Sequence, residues 1–437
     1  MRLGPRYDLR PDSGLPLPAY WRERTAAARP GAEVPGGGPR LLDAACGYWA
    51  RRGLPCRAGH VLAAPGAEPL LFALLAAVDG DPVLARPAPA WQAPVARLLG
   101  RQVHTAPTPP EGGVPDPFAL LETVRRARAA GADPRLLVLS AADDPTGTVT
   151  APELLHETCE AAAEAGLLIV SDETYSDTLH HRDTVLLSPA EMLPDHTVVL
   201  ADLGATLVPA AVPAALARFP ATAHGAAWRE RALDVLAALR AVLPAPVAAA
   251  TGYVLTEPAE VTDRAAAANR LHARTAAAAF RAITGAGATC RPPRAGFQLY
   301  PTLPAPGLDA AALEERLTAA LGYPVLGGHR FGDDPDEPRV RISTGHLHGA
   351  TEDERRVALA APDPLAVPHV VAALAALAVA VSGHATGYPA AGSGPAGGAV
   401  GQSADIGQSA DIGESADIGE SADIGESADT GSRGRGT

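Results

Sequence analysis

Two side chains able to do chemistry follow the apolar run LLIV, which ends at Val170. Asp172 comes two residues after the run, and Tyr175 lies three residues further on. An acid at the end of a buried strand either accepts hydrogen bonds from nearby backbone or serves as the counter-ion of a bound group. The position makes Asp172 a candidate binding residue.

A second chemical feature is the absence of lysine from the whole sequence. The 437 residues include no lysine, so all 36 residues counted as lysine or arginine are arginine. No side chain can therefore form an imine with an aldehyde. The chain also lacks the motifs G-x-S-x-G, H-E-x-x-H and a P-loop with its lysine, which are typical of serine hydrolases, zinc proteases and nucleotide-binding enzymes.

Composition indicates a large globular protein that binds neither nucleic acid nor membrane. The chain is 47% hydrophobic, enough for a large core, and its net charge of −13 argues against nucleic acid or anionic lipid as a partner. The four cysteines show no metal-ligand spacing, so we expect reduced thiols, no metal site and a cytoplasmic location. The apolar stretch 370–381 is too short to span a membrane and predicts a buried C-terminal helix.

An alternation of apolar runs and helical patterns positions Asp172. Between residues 41 and 220, short runs such as RLLVLSA and LLIVSDE alternate with predicted helices at 117–130 and 151–165. This order predicts an α/β fold with a mostly parallel sheet and helices on both faces. Ligands bind beyond the carboxyl ends of strands in such sheets, which is where Asp172 lies.

Four regions follow from composition and pattern. We predict an N-terminal arm at 1–50, which also supplies part of a small domain, a large α/β domain at 51–285 and a smaller α+β domain at 286–383. Strand candidates in the small domain are GFQLYPTL (296–303) and RVRIST (339–344). The tail, 384–437, repeats SADIGE and SADIGQ with one isoleucine per repeat, which is too little apolar surface to offset chain entropy, so we predict disorder.

The segment SAADDPTGTVTAPELLHETCEAAAEAGLLIVSDETYSD (140–177) resembles the centre of the class I and II aminotransferases, which are fold type I pyridoxal phosphate enzymes. Four further segments resemble the family in the same order: YWARRGLP, VLAAPGAEPLLFALLAAVDGDPVLARPAPAW, AGFQLYPTL and FGDDPDEPRVRIST. The resemblance covers roughly residues 5–380. It implies an aminotransferase fold, a pyridoxal or pyridoxamine phosphate cofactor and a homodimer.

The resemblance also assigns roles to individual residues. Asp172 matches the acid that pairs with the cofactor's pyridine nitrogen, Tyr175 the residue that bonds its phenolic oxygen, and Arg341 the arginine that binds the substrate carboxylate. Alternative roles are backbone capping for Asp172 and a structural salt bridge for Arg341. The implied cofactor-binding residues are Gly66, Ala67, Trp91, Asp144, Asp172 and Tyr175.

Four positions depart from the family pattern. Aligned on the strand HTVVLADL, Ala205 stands where the family has its catalytic lysine, Asp202 where it has a phosphate-binding serine and Pro213 where it has a phosphate-binding arginine. Asp144 replaces an asparagine, and an ionised carboxylate cannot donate a hydrogen bond. We therefore assign no catalytic residue, and any bound cofactor would be noncovalent.

Three functional hypotheses remain, and they leave open whether the protein is an enzyme. The first is a pseudoenzyme that acts as a binding or partner subunit, as a homodimer or as a heterodimer with an active aminotransferase. The second is an enzyme that uses pyridoxamine phosphate without a lysine, with His104, His180 or His181 as its base. The third is a new activity on another ligand, such as a small carboxylate bound by Arg341.

Overall fold

The computed structural model describes residues 10–385 of the protein. Residues 1–9 of the predicted arm fall outside this range. The predicted disordered tail also lies outside the described residues, except for its first two residues, which end the last helix.

The larger sheet has seven strands in the order β1-β7-β6-β5-β4-β2-β3. All adjacent pairs from β6 to β3 are parallel, whereas β7 runs antiparallel to both β6 and β1. The predicted mostly parallel sheet is therefore confirmed. The strands are β1 Val61–Ala64, β2 Asp81–Arg86, β3 His104–Pro107, β4 Pro134–Leu139, β5 Leu168–Asp172, β6 Thr197–Asp202 and β7 Ala215–Arg218.

Thirteen α-helices are found in the part of the chain that the structure describes. The two predicted helices are α5 and α6, and proline stands in the first turn of each, where its missing N–H costs no hydrogen bond. The helices are α1 Ala19–Ala27, α2 Pro39–Arg51, α3 Ala67–Ala77, α4 Gln92–Leu98, α5 Pro117–Ala129, α6 Pro152–Glu164, α7 Pro189–Met192, α8 Ala223–Ala238, α9 Ala245–Val254, α10 Ala259–Gly285, α11 Ala310–Leu321, α12 Glu352–Ala360 and α13 Pro368–Ala385.

Helices cover both faces of the large sheet, which is why its central strands are buried throughout. Along β5, Leu168 and Val170 pack into the core shared with α3 and α8. Ile169, between them, packs on the opposite face in the core shared with α5 and α6. Burial on both faces explains the uninterrupted apolar run that precedes Asp172.

The smaller sheet has three antiparallel strands in the order β8-β10-β9: Gln298–Leu299, Val340–Ser343 and Val325–Gly327. Its core includes residues of α10, α11 and α13. The candidate strand 296–303 contains only the two residues of β8, because Gly296 has a φ of +69° and Pro301 lacks an N–H. The predicted division between residues 285 and 286 stays a prediction.

Helix α13 corrects the prediction of a wholly buried C-terminal helix. Val370, Leu377 and Val381 are fully buried, but Val371 and Val379 are 48% and 73% exposed. The helix therefore packs through one face only. Within residues 10–385, no helix is long and apolar enough to cross a membrane.

Candidate functional site

A cavity of about 490 Å³ lies at the carboxyl ends of the central strands, against the start of α3. Its volume falls in the usual range for small-molecule sites. The cavity brings together seven residues that the sequence singled out: Ala67, Trp91, Asp144, Asp172, Tyr175, Asp202 and Ala205. The structure does not test their roles, which stay predictions.

Asp172 ends β5, and backbone capping accounts for one of its oxygens. Its Oδ1 accepts hydrogen bonds from the Thr174 backbone N at 3.2 Å and the Thr174 hydroxyl at 2.6 Å. Its Oδ2 lies 3.4 Å from Gln92 Nε2. Burial raises the pKa of Asp172 to about 6. No arginine or histidine of residues 10–385 forms an ion pair with this carboxylate. We call Asp172, Thr174, Tyr175, Gln92 and Trp91 the Asp172 wall.

Tyr175 belongs to this wall and lines the cavity. Its ring meets the Phe297 ring edge-on, with centroids 5.7 Å apart. The residue is only 8% exposed, yet its hydroxyl forms no hydrogen bond with any residue that the structure describes. Burial also raises the pKa of Tyr175 well above its ordinary value, so the hydroxyl keeps its proton. The hydroxyl is thus available to a ligand in the cavity.

A carboxylate of the protein, Asp202, binds the start of α3. Gly66, with a φ of +103°, caps the helix, and the Ala67 backbone N donates to Asp202 Oδ2 at 3.2 Å. The other oxygen of Asp202 accepts from Gly204 N at 2.8 Å. Helix N-termini favour anions because their free N–H groups and dipole present positive charge. Asp202 therefore supplies the anion at the start of α3.

Arg10 completes this arrangement, and no sequence pattern indicated its role. Arg10 Nη1 lies 2.9 Å from Asp202 Oδ2, and its Nε donates to Glu68 at 2.7 Å. A Cβ placed on Gly66 would lie 2.8 Å from Arg10 Nη2 and 3.5 Å from Pro213 Cβ. Pro213 thus lies beside Gly66. We call Arg10, Glu68, Asp202 and the start of α3 the cradle.

Arg341 forms the structural salt bridge that was its alternative role. Its Nη1 lies 3.2 Å from each carboxylate oxygen of Asp144, and both side chains are buried. Burial raises the pKa of Asp144, although Arg341 opposes the shift. A ligand carboxylate would have to compete with Asp144 for this guanidinium.

The candidate histidine bases do not face the cavity. His180 and His181 line a separate pocket beside α10 and α12. His104 lies on β3, 3.9 Å from Asp81. Since no histidine is among the described residues around the cavity, the structure contradicts the suggestion that one of these three acts there as a base.

These residues do not fit pyridoxal phosphate. Ala205, which the alignment puts at the family's lysine position, lines the cavity and has no amine with which to form an imine. The cradle places Asp202 and Glu68 beside the α3 amides that would face a phosphate. Asp202 and Asp172 are also close enough to raise each other's cost of ionisation.

Comparisons with known proteins agree with the fold. Residues 35–358 match the family model for aminotransferase class I and II. Over 172 residues the chain is 32% identical to a probable aspartate/prephenate aminotransferase of Thermus aquaticus, an alignment that covers 38% of this chain and 43% of the relative. The matching protein of Thermus thermophilus is also 32% identical over 172 residues. The chain therefore spans less than half the length of these curated relatives.

Solved structures extend the similarity to most of the chain. Aspartate aminotransferase from Thermus thermophilus with maleate superposes with a TM-score of 0.69 at 22% identity, over 84% of this chain and 90% of the other. An aromatic aminotransferase from Pyrococcus horikoshii gives a TM-score of 0.67 at 18% identity, over 84% and 93% of the two chains. At this identity the superpositions establish the fold.

Proposed function

Because the chain belongs to the aminotransferase class I and II family, we propose that it is a member that does not transaminate through a pyridoxal phosphate imine. Members of this family use pyridoxal phosphate, and they typically form homodimers. The proposed role is that of a binding or partner subunit.

The absence of a side-chain primary amine carries this proposal. All 36 residues counted as lysine or arginine are arginine. Ala205, which the alignment puts at the family's lysine position, lines the cavity. An arginine guanidinium stays protonated in proteins and does not replace an ε-amine as nucleophile or base. The chain supplies neither the covalent link nor the proton carrier that the family's reaction requires.

The charge of the cradle also supports the proposal. A phosphate at the start of α3 would meet Asp202 and Glu68 as well as Arg10. Two like charges about 4 Å apart repel by about 1–4 kcal/mol between bulk water and a surface-like dielectric. This repulsion would weaken noncovalent pyridoxamine phosphate as well, so we do not favour the alternative enzyme.

A partner role is compatible with the family's architecture. Active sites in the family form at the dimer interface, so an inactive chain can complete the site of an active one. We propose a homodimer or a heterodimer with an active aminotransferase. Size-exclusion chromatography of the chain alone and mixed with such an enzyme distinguishes the two.

Titration of the full chain with pyridoxal phosphate tests the loss of cofactor chemistry. We expect no ring absorbance after dialysis. After borohydride reduction, peptide mass spectrometry should find no adduct on any side chain, and an adduct on the N-terminal amine would not count. A lysine-containing aminotransferase treated in parallel gives the positive signal. Transamination by the isolated chain at ordinary enzymic rates would overturn the proposal.

A further inference from the structure

The charges around the cavity are predominantly negative. Five carboxylates and two arginines are among the described residues that line it. These residues are Asp12, Asp144, Asp172, Asp202, Glu352, Arg10 and Arg355. We propose that this cavity binds a compact organic cation without a phosphate group, such as an amidinium, an ammonium or a protonated nitrogen heterocycle.

Both lining arginines are already paired with acids. Arg10 contacts Asp202 at 2.9 Å and also pairs with Glu68, while Arg355 lies 3.4 Å from Asp12. Asp144 has its own cation, Arg341, at 3.2 Å. The site therefore has little positive charge to offer an anionic ligand.

Among the described carboxylates that line the cavity, Asp172 is the one that lacks a cation. It is 6% exposed, and its hydrogen bonds come only from the neutral groups of Thr174 and Gln92. A buried charge without a counter-ion is costly unless a ligand of opposite charge compensates it. A cation in the cavity would supply that counter-charge.

The surroundings of Asp172 suit a flat cation. Trp91, Tyr175 and Phe297 line the same cavity, and aromatic rings attract cations through their faces. The Tyr175 hydroxyl has no partner within residues 10–385 and can accept one hydrogen bond from an N–H donor. Ala205 leaves room where the family has a long side chain.

This inference rests on the proposed function, because a bound pyridoxal phosphate would fill the same cavity. The two can fail separately. Retention of pyridoxal phosphate by the chain would overturn the proposed function. If the chain binds neither pyridoxal phosphate nor an organic cation, only this inference is overturned.

Three probes of equal shape test the proposal: benzamidine, benzamide and benzoate, which carry charges of +1, 0 and −1. Isothermal titration of the full chain at pH 8 should show benzamidine binding at least about tenfold more tightly than benzamide, because a carboxylate binds a charged hydrogen-bond donor more strongly than a neutral one. Benzoate should not bind. Equal affinity for all three probes, or no binding of millimolar benzamidine, would overturn the proposal.

Substitutions locate the binding. Asp172→Asn should weaken benzamidine binding at least about tenfold and leave benzamide binding unchanged. Tyr175→Phe should weaken benzamidine binding about two- to tenfold, because it removes one hydrogen bond. Asp195→Asn, at an exposed aspartate on the surface, is the matched control and should change nothing. Unchanged benzamidine affinity in a folded Asp172→Asn protein would refute the assignment, as would an equal loss in Asp195→Asn.

Discussion

The cradle and the Asp172 wall border one cavity, but their buried carboxylates differ in whether the chain supplies a cation. In the cradle, Asp202 is matched by Arg10 and by the amides at the start of α3. In the wall, Asp172 has only neutral hydrogen-bond donors. Thr174 connects the two, because its hydroxyl donates to Asp172 and accepts from the Asp202 backbone N. The chain supplies the counter-charge for one anion and leaves the other to a ligand.

Rebuilding the cradle for a phosphate should give the largest effect. We expect Ala205→Lys combined with Asp202→Ser and Pro213→Arg to bind pyridoxal phosphate at least about 30-fold more tightly than Ala205→Lys alone. The triple change removes one anion and adds one cation beside the phosphate, each worth about 1–4 kcal/mol. Absorbance titration gives the affinities, and mass spectrometry after borohydride reduction places the adduct at position 205.

A lysine on the surface provides the control for this experiment. Arg125→Lys, at an arginine whose side chain is 69% exposed, reports the background reaction of an ordinary ε-amine. Equal affinities of the single and triple variants would show that the cradle is not what excludes the cofactor.

Removing the cation from a paired carboxylate should cause the largest loss of stability. Arg341→Met leaves Asp144 buried without its 3.2 Å partner, and losing one member of a buried ion pair costs about 3–5 kcal/mol of unfolding free energy. Adding Asp144→Leu should recover most of this, because an apolar pair can replace a buried ion pair. Urea denaturation gives both values. An exposed Arg125→Met variant should match wild type, and an equal loss there would point to a general effect of losing arginine.

Removing the charge of the unpaired carboxylate, Asp172, should raise stability instead of lowering it. Burial raises the pKa of Asp172 from 3.8 to about 6, so the folded state binds more protons than the unfolded state between these values. Stability therefore falls as pH rises through this window, and the cost is fully present above about pH 6. Asp172→Asn should raise the unfolding free energy by about 1–3 kcal/mol at pH 8, with no difference below the unfolded pKa.

Urea denaturation across this pH range measures the effect. Asp195→Asn, at an exposed position, should show no such pH dependence. A loss of stability in Asp172→Asn at pH 8 would mean that a cation already compensates the carboxylate.

Local patterns were sufficient to predict the fold and the place of the site. The uninterrupted run before Asp172 reflects burial on both faces, and the rule that ligands bind at strand ends placed Asp172 at the cavity. The positions assigned to Ala205 and Pro213 depend on aligning strand β6 with the family, and they stay predictions. Each inference used residues close to one another along the chain.

The charge pairings could not be predicted in this way. Asp144 and Arg341 are 197 residues apart, and Arg10 and Glu68 are 58 apart. Arg10 lies in a segment rich in proline and glycine, where no periodicity indicates which way a side chain points. Whether a buried acid is compensated depends on such distant contacts, so the sequence identified the acids without showing which one lacks a cation.

The smallest expected effect concerns the cradle's own cation. Arg10→Met removes the partner of Asp202 and Glu68, but the Arg10 side chain is 31% exposed and Asp202 keeps the amides of Ala67 and Gly204. Water screens such a pair, so we expect a loss of about 0.5–1 kcal/mol in urea denaturation. Combining Arg10→Met with Glu68→Gln should cost less than the sum of the single changes, because both remove the same contact. A loss of stability as large as that of Arg341→Met would mean that water screens the Arg10 pair no better than the buried Arg341 pair. The proposed difference between the two ion pairs would then be wrong.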